Sequence, residues 1–129
     1  MSNVFAKDRK ESPMEVITIG REIYLNTYRL CMNEQIIPKK HRFMIAKSII
    51  NLASNIIDNV NKANSIFPRN DADKEIRYKY QKQAYANCDA LLGKLELASQ
   101  LFPISYKAVS EIVSLVIREK QMILAWSKV

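Results

Sequence analysis

Glycine is nearly missing from this sequence, with two in 129 residues, and proline is scarce at four. A fold of short strands joined by many tight turns needs more of both, so the scarcity favours a few long helices. Histidine occurs once. That excludes any metal site built on two imidazoles, including the paired Glu-x-x-His arrangement of ferritin-like bundles. Gly20 and Gly93 stand alone, so no glycine-rich loop is available to cradle the phosphates of a nucleotide. Around His41 no nucleophile falls into a catalytic spacing, and the chain reads as a non-enzyme without metal or cofactor. Cys31 and Cys88 are in no C-x-x-C spacing and the first residues show no secretory or membrane-spanning pattern. The expectation is two reduced thiols in a cytoplasmic protein with no membrane partner.

What the chain does contain is apolar and basic. Hydrophobic residues make up 48% and charged residues 26%, an ordinary globular composition. Its length suits one domain, expected over residues 13–129, preceded by a flexible segment over 1–12. Twenty Lys and Arg against thirteen Asp and Glu give a formal charge of +7, which points to a polyanionic partner.

Ser12, Pro13 and Glu15 spell a helix start: an N-cap, a first-turn proline and the third member of a capping box. Val16, Ile19, Ile23, Thr27 and Leu30 then recur at steps of three and four, predicting a helix over 13–33 with one apolar face. Tyr24, Tyr28 and Cys31 widen that face, and Gly20 within it predicts close approach of a neighbour. A second helix is predicted over 38–64, opening at Pro38 and burying Phe43, Ala46, Ile49, Ile50, Ala53, Ile56, Ile57, Val60 and Ala63. Pro68 interrupts the pattern and makes 65–70 a connection.

Asp71 and Asp73 open a third helix with the charge sign that the macrodipole favours. Its inner face is read as Ile76, Tyr80, Ala84, Asn87 or Cys88, Leu91, Leu95, Ala98, and Leu101 or Phe102, with Gly93 as a small residue in a packed segment. Ser105 caps a fourth helix whose inner face is Val109, Ile112, Val113, Val116, Ile117, Ile123 and Trp126. Trp126, spaced behind Ile123, reads as core or subunit contact rather than a stacking platform. Four amphipathic helices with short links predict an all-α, antiparallel up-down four-helix bundle. The extra apolar flank and outward tyrosines predict a homo-oligomer.

Residues 35–57 contain no Asp or Glu but include Lys39, Lys40, Arg42 and Lys47, with His41 among them. Cations in the first turn of a helix sit at the wrong end of its macrodipole, a mismatch of about 0.3–1 kcal/mol each, which a bound phosphate relieves. A second group, Lys74, Arg77, Lys79 and Lys82, interleaves with Tyr78, Tyr80 and Tyr85. A single lysine on a helix face is ordinarily just solvated. Clustered in this way, the nine side chains are the candidate contacts to nucleic acid or a protein partner, made to phosphates and without sequence specificity.

Three stretches also resemble a known family: Ile37-Pro38-Lys39-Lys40-His41-Arg42-Phe43, the run Ala90-Leu91-Leu92-Gly93-Lys94-Leu95-Glu96-Leu97-Ala98, and the closing stretch from Ile117 to Trp126. They look like the Avd family, the accessory variability determinants of diversity-generating retroelements. Ser48-Ile49-Ile50, Ser54-Asn55-Ile56 and Leu91-Leu92-Gly93-Lys94-Leu95 are also similar to four-helix-bundle proteins encoded in ribosomal RNA intervening sequences, which leaves a structural or protein-binding role as the alternative. The Avd resemblance implies a homopentameric barrel with a basic surface and no catalysis of its own. It further implies association with a reverse transcriptase and binding of template RNA, with the cDNA copy as a further candidate, in support of mutagenic cDNA synthesis. Pro38, Lys39, Lys40, His41 and Arg42 are the positions that carry over. Where that family usually places a glycine pair before its closing Trp, this chain has Leu124-Ala125.

Overall fold

Steps of three and four in the sequence become four helices. The structure, a computed structural model, describes residues 13–128. They form α1 (Pro13–Met32), α2 (Lys47–Asn64), α3 (Asp71–Leu101) and α4 (Tyr106–Ser127), with no strand among the described residues. The flexible segment expected over 1–12, and with it the Ser12 cap, lies outside the described residues. No described helix is long and apolar enough to cross a membrane.

Each helix packs on the next, and α1 also packs on α4, so the four surround one core, an arrangement compatible with a four-helix bundle. Val16, Ile19, Ile23 and Leu30 of α1 meet Ile49, Ala53, Ile56 and Val60 of α2, Ala84, Cys88, Leu91 and Leu95 of α3, and Ile112, Val116, Ile123 and Trp126 of α4 in that core. Cys31 and Cys88 are both free and buried. Burial pushes the Cys31 thiol up to about 12, and burial followed by the nearby Glu119 pushes Cys88 up as well.

Local signals fix where two of the helices begin. The Asn70 side chain accepts from the Asp73 N–H at 2.8 Å, and the Ser105 hydroxyl accepts from the Ala108 N–H at 3.3 Å, as caps of α3 and α4. Glu15, in the first turn of α1, forms an ion pair with Arg118 of α4. A Cβ on Gly20 would lie 2.9 Å from both Ile57 Cδ1 and Glu119 Oε2, so the expected close approach is present, with α2 and α4 both arriving there.

Several inner-face assignments need correction. Phe43 is 72% exposed, Ile76 48% and Ile117 44%, and at the end of α3 it is Phe102 and not Leu101 that turns inward. Gly93 is exposed, and a Cβ there would meet nothing within 4 Å. One physical reason covers Ile76 and Ile117. The buried positions of α4 run 112, 116, 119, 123, 126 and those of α3 run 81, 84, 88, 91, 95, 98, a regular alternation of threes and fours. That alternation passes through polar residues at Gln81 and Glu119, and one step further back it reaches Arg77. Ile76 and Ile117 are apolar but each lies off the seam, so geometry overrides residue type.

Candidate nucleic-acid interface

The chain leaves α1 through a turn centred on Asn33, whose carbonyl accepts from the Ile36 and Ile37 N–H groups at 3.0 and 2.9 Å. Ile37 is then buried at 2% exposure and pins the segment to the core. Pro38 follows in an extended conformation, and the His41 N–H donates to its carbonyl at 2.9 Å, which starts a 3-10 turn over Lys39–His41. Next comes a π-helical stretch, Arg42–Ala46, and only at Lys47 does a regular α-helix set in. The predicted helix start at Pro38 is therefore the least regular helical part of the chain. In the wide π turn each residue advances by a smaller angle, so Phe43 loses phase with Ala46 and Ile49 and points to solvent. The anchor expected of Phe43 is supplied by Ile37.

Lys39, Lys40 and Lys47 are exposed, and His41 and Arg42 are half-buried. Arg42 reaches back 3.3 Å to Glu34, a partly exposed pair of the kind worth about 0–1 kcal/mol. The His41 ring lies 5.2 Å from that of Phe102, and the Lys47 ammonium sits 4.9 Å above the ring of Phe43. Pro38 offers no side-chain acceptor to the first turn, and no acid stands in it. Lys39, Lys40, Arg42, Phe43, Met44 and Lys47 thus form a surface that is both cationic and apolar.

The second basic group is built differently. Lys74, Lys79 and Lys82 are exposed, but Arg77 is half-buried with its guanidinium 5.0 Å from the ring of Trp126, and burial lowers its pKa from the ordinary value. The neighbouring aromatics already hold cations: Lys82 lies 5.5 Å from the Tyr78 ring, Lys62 5.7 Å from Tyr80, and Lys120 5.1 Å from Tyr85. Lys120 also pairs with Asp89. Only Lys82 and Tyr78 pair within the stretch; the cations over Tyr80 and Tyr85 come from α2 and α4.

The structure does not bring the two groups together. His41 stands against Phe102, just beyond the C-terminal end of α3, whereas Arg77 lies in its second turn. At 1.5 Å per residue those points of α3 are ~37 Å apart.

Sequence reasoning missed Glu119 entirely. It is fully buried, neither carboxylate oxygen has a hydrogen-bond partner among the described residues, and burial pushes its pKa up to about 8. The signal was present in the spacing, since 119 completes the seam of α4. No group of three or more His, Cys, Asp or Glu converges on a metal-sized site among the described residues.

No family model, curated protein or solved structure matches the chain.

Proposed function

We propose that this protein is a non-enzymatic, cytoplasmic nucleic-acid-binding accessory of a retroelement reverse transcriptase, as the resemblance to the Avd family implies. In this reading it is an up-down bundle that assembles as a homopentamer and binds template RNA while mutagenic cDNA is made. The observation that carries the nucleic-acid part is the exposed segment from Lys39 to Lys47, where cations flank a solvent-facing aromatic in a stretch with no acid. Phosphates would neutralise the cations, and Phe43 offers a base a ring to stack on, the combination that single-stranded nucleic acid requires. Repetition around an oligomer would multiply the effect through multivalency.

Replacing Lys39, Lys40 and Arg42 together with Glu should abolish RNA binding in a filter or anisotropy assay, with helicity and particle mass retained. Binding that survives the triple change sinks the proposal. A Phe43→Ala variant should weaken RNA affinity by a factor consistent with one lost stacking contact, about 1–3 kcal/mol, without altering the salt dependence.

A second reading, a bundle that binds only protein, draws support from the exposed apolar side chains Met44, Leu101 and Tyr106, which belong to the same end of the fold as Phe43. It predicts RNA affinity that is weak and nearly flat with salt. Phosphate contacts give a steep slope.

A further inference from the structure

Besides its core-facing residues, each of α1 and α4 carries a second apolar stripe on its outer surface. On α1 the stripe is Ile17, Arg21, Leu25 and Tyr28, and on α4 it is Val113, Ile117, Lys120 and Leu124, all at steps of three or four. Leu25, Tyr28, Ile117 and Leu124 are each 44–47% exposed. Apolar side chains scattered singly over a surface are ordinary. These keep the pitch of a packing face instead, and each stripe runs ~17 Å along its helix, so the two match in length.

The stripes lie on opposite flanks of the α1 and α4 pair. Glu15, paired with Arg118, and Asn26, which shares a hollow with Ser114 and Arg118, mark the side of α1 turned to α4. Ile17 and Tyr28 come two residues after these, more than half a turn around, and so lie on the far side of α1. On α4 the marker is Lys120, which pairs with Asp89 and covers the Tyr85 ring, so that stripe runs beside α3.

Charge decides how the stripes can meet. Arg21 is exposed and is the one charged member of the α1 stripe, so two α1 stripes face to face would oppose like charges. The row of α3 that meets α4 continues from Tyr85 and Asp89 through Leu92 to Glu96, at steps of four and three. Contacts between these helices run in opposite senses, Arg77 to Trp126 and then Asp89 to Lys120, which sets the exposed Glu96 level with Val113. Two α4 stripes would therefore oppose acids. Neither Arg21 nor Glu96 has an ion-pair partner among the described residues, and the α1 stripe set on the α4 stripe gives each the opposite charge.

We infer that the outer stripe of α1 on one copy of this chain docks on the outer stripe of α4 on the next, with Arg21 set against Glu96, which rests on the homo-oligomer proposed above and names the two surfaces that build it. Because the surfaces differ and lie on opposite flanks, the contact is head-to-tail, and every interface uses one stripe of each kind. No nucleic acid is needed for it.

Sedimentation and native mass measurements on the full-length protein without nucleic acid test this directly. Leu25→Lys and Ile117→Lys, both at exposed positions, should each reduce the particle to a monomer with helicity and melting temperature retained. Mixed in equal amounts, the two variants should give a dimer and nothing larger, since one intact stripe of each kind remains between them. Arg21→Glu should weaken association at least ~10-fold by setting acid against acid, and adding Glu96→Arg in the same chain should recover it. A native protein that is itself a monomer overturns the oligomer together with the interface. If the native protein is an oligomer that neither lysine variant dissociates, or that only one of them does, the oligomer stands and the head-to-tail interface is overturned. A mixture that stays monomeric overturns it as well.

Discussion

Glu119 is the residue whose chemistry is most at odds with its surroundings. A carboxylate sealed in an apolar core cannot ionise without a large desolvation cost, and its raised pKa expresses that cost. In the unfolded chain the group titrates near 4.5 and in the folded chain near 8. Below 4.5 it is protonated in both states and its contribution to stability is complete. Between the two values the folded state holds a proton that the unfolded state has released, so rising pH favours unfolding until the loss levels off above about 8. At ~1.4 kcal/mol per unit the decline is a few kcal/mol, a substantial part of the about 5–15 kcal/mol that holds a typical domain together. Cys88, facing Glu119 from α3, stays a neutral thiol across this window, and Gly20 and Ile57 bring no charge from α1 and α2. Calorimetry at pH 5 and pH 9 should therefore show a marked drop in melting temperature for the native protein and a much smaller one for Glu119→Gln. Parallel behaviour of the two would exclude Glu119 as the cause.

Among the elements, α3 carries a residue with no structural requirement. Gly93 lies exposed in the interior of a 31-residue helix with open space where a Cβ would go. Gly93→Ala should raise stability by about 0.5–1 kcal/mol in a denaturant titration, through helix propensity alone. Gly20→Ala gains the same propensity but drives its methyl into Ile57 and Glu119, so it should be destabilising instead. Opposite signs for two identical substitutions would verify the packing around α1. The helices themselves could be read from the sequence because aliphatic side chains at steps of three and four mark an inner face unambiguously, as Val16, Ile19, Ile23 and Leu30 do. Their polar interruptions could not. A reading that selects apolar residues takes Ile117 over Glu119 and Ile76 over Arg77, although counting along the seam selects the polar member each time. The π turn at Arg42–Ala46 was hidden for a different reason: no residue type announces it, and it shows only as Phe43 turning outward.

For the whole molecule, the +7 charge means that electrostatics governs any association with a polyanion. The candidate contacts could be named from the sequence as clustered cations, because charge clustering is a linear property. Their separation in space could not, since it depends on which end of α3 each group faces. If RNA is held at the Lys39–Lys47 surface, removing Lys39 and Lys40 should make the log–log salt slope shallower by about 1.4 for a single strand, at ~0.7 per phosphate contact. The same change at Lys79 and Lys82 tests the other group separately, and the two slopes need not agree.

The length of α3 also sets a ruler for the ligand. The ~30 Å along α3 from exposed Lys82 of one group to Phe102 beside the other corresponds to roughly nine base pairs at 3.4 Å each, just under one helical turn. A duplex laid along the bundle would present its phosphates to both ends only at that length or beyond. Shorter duplexes would be held at one end alone, so affinity plotted against duplex length should step upward near one turn if a single molecule bridges the two groups.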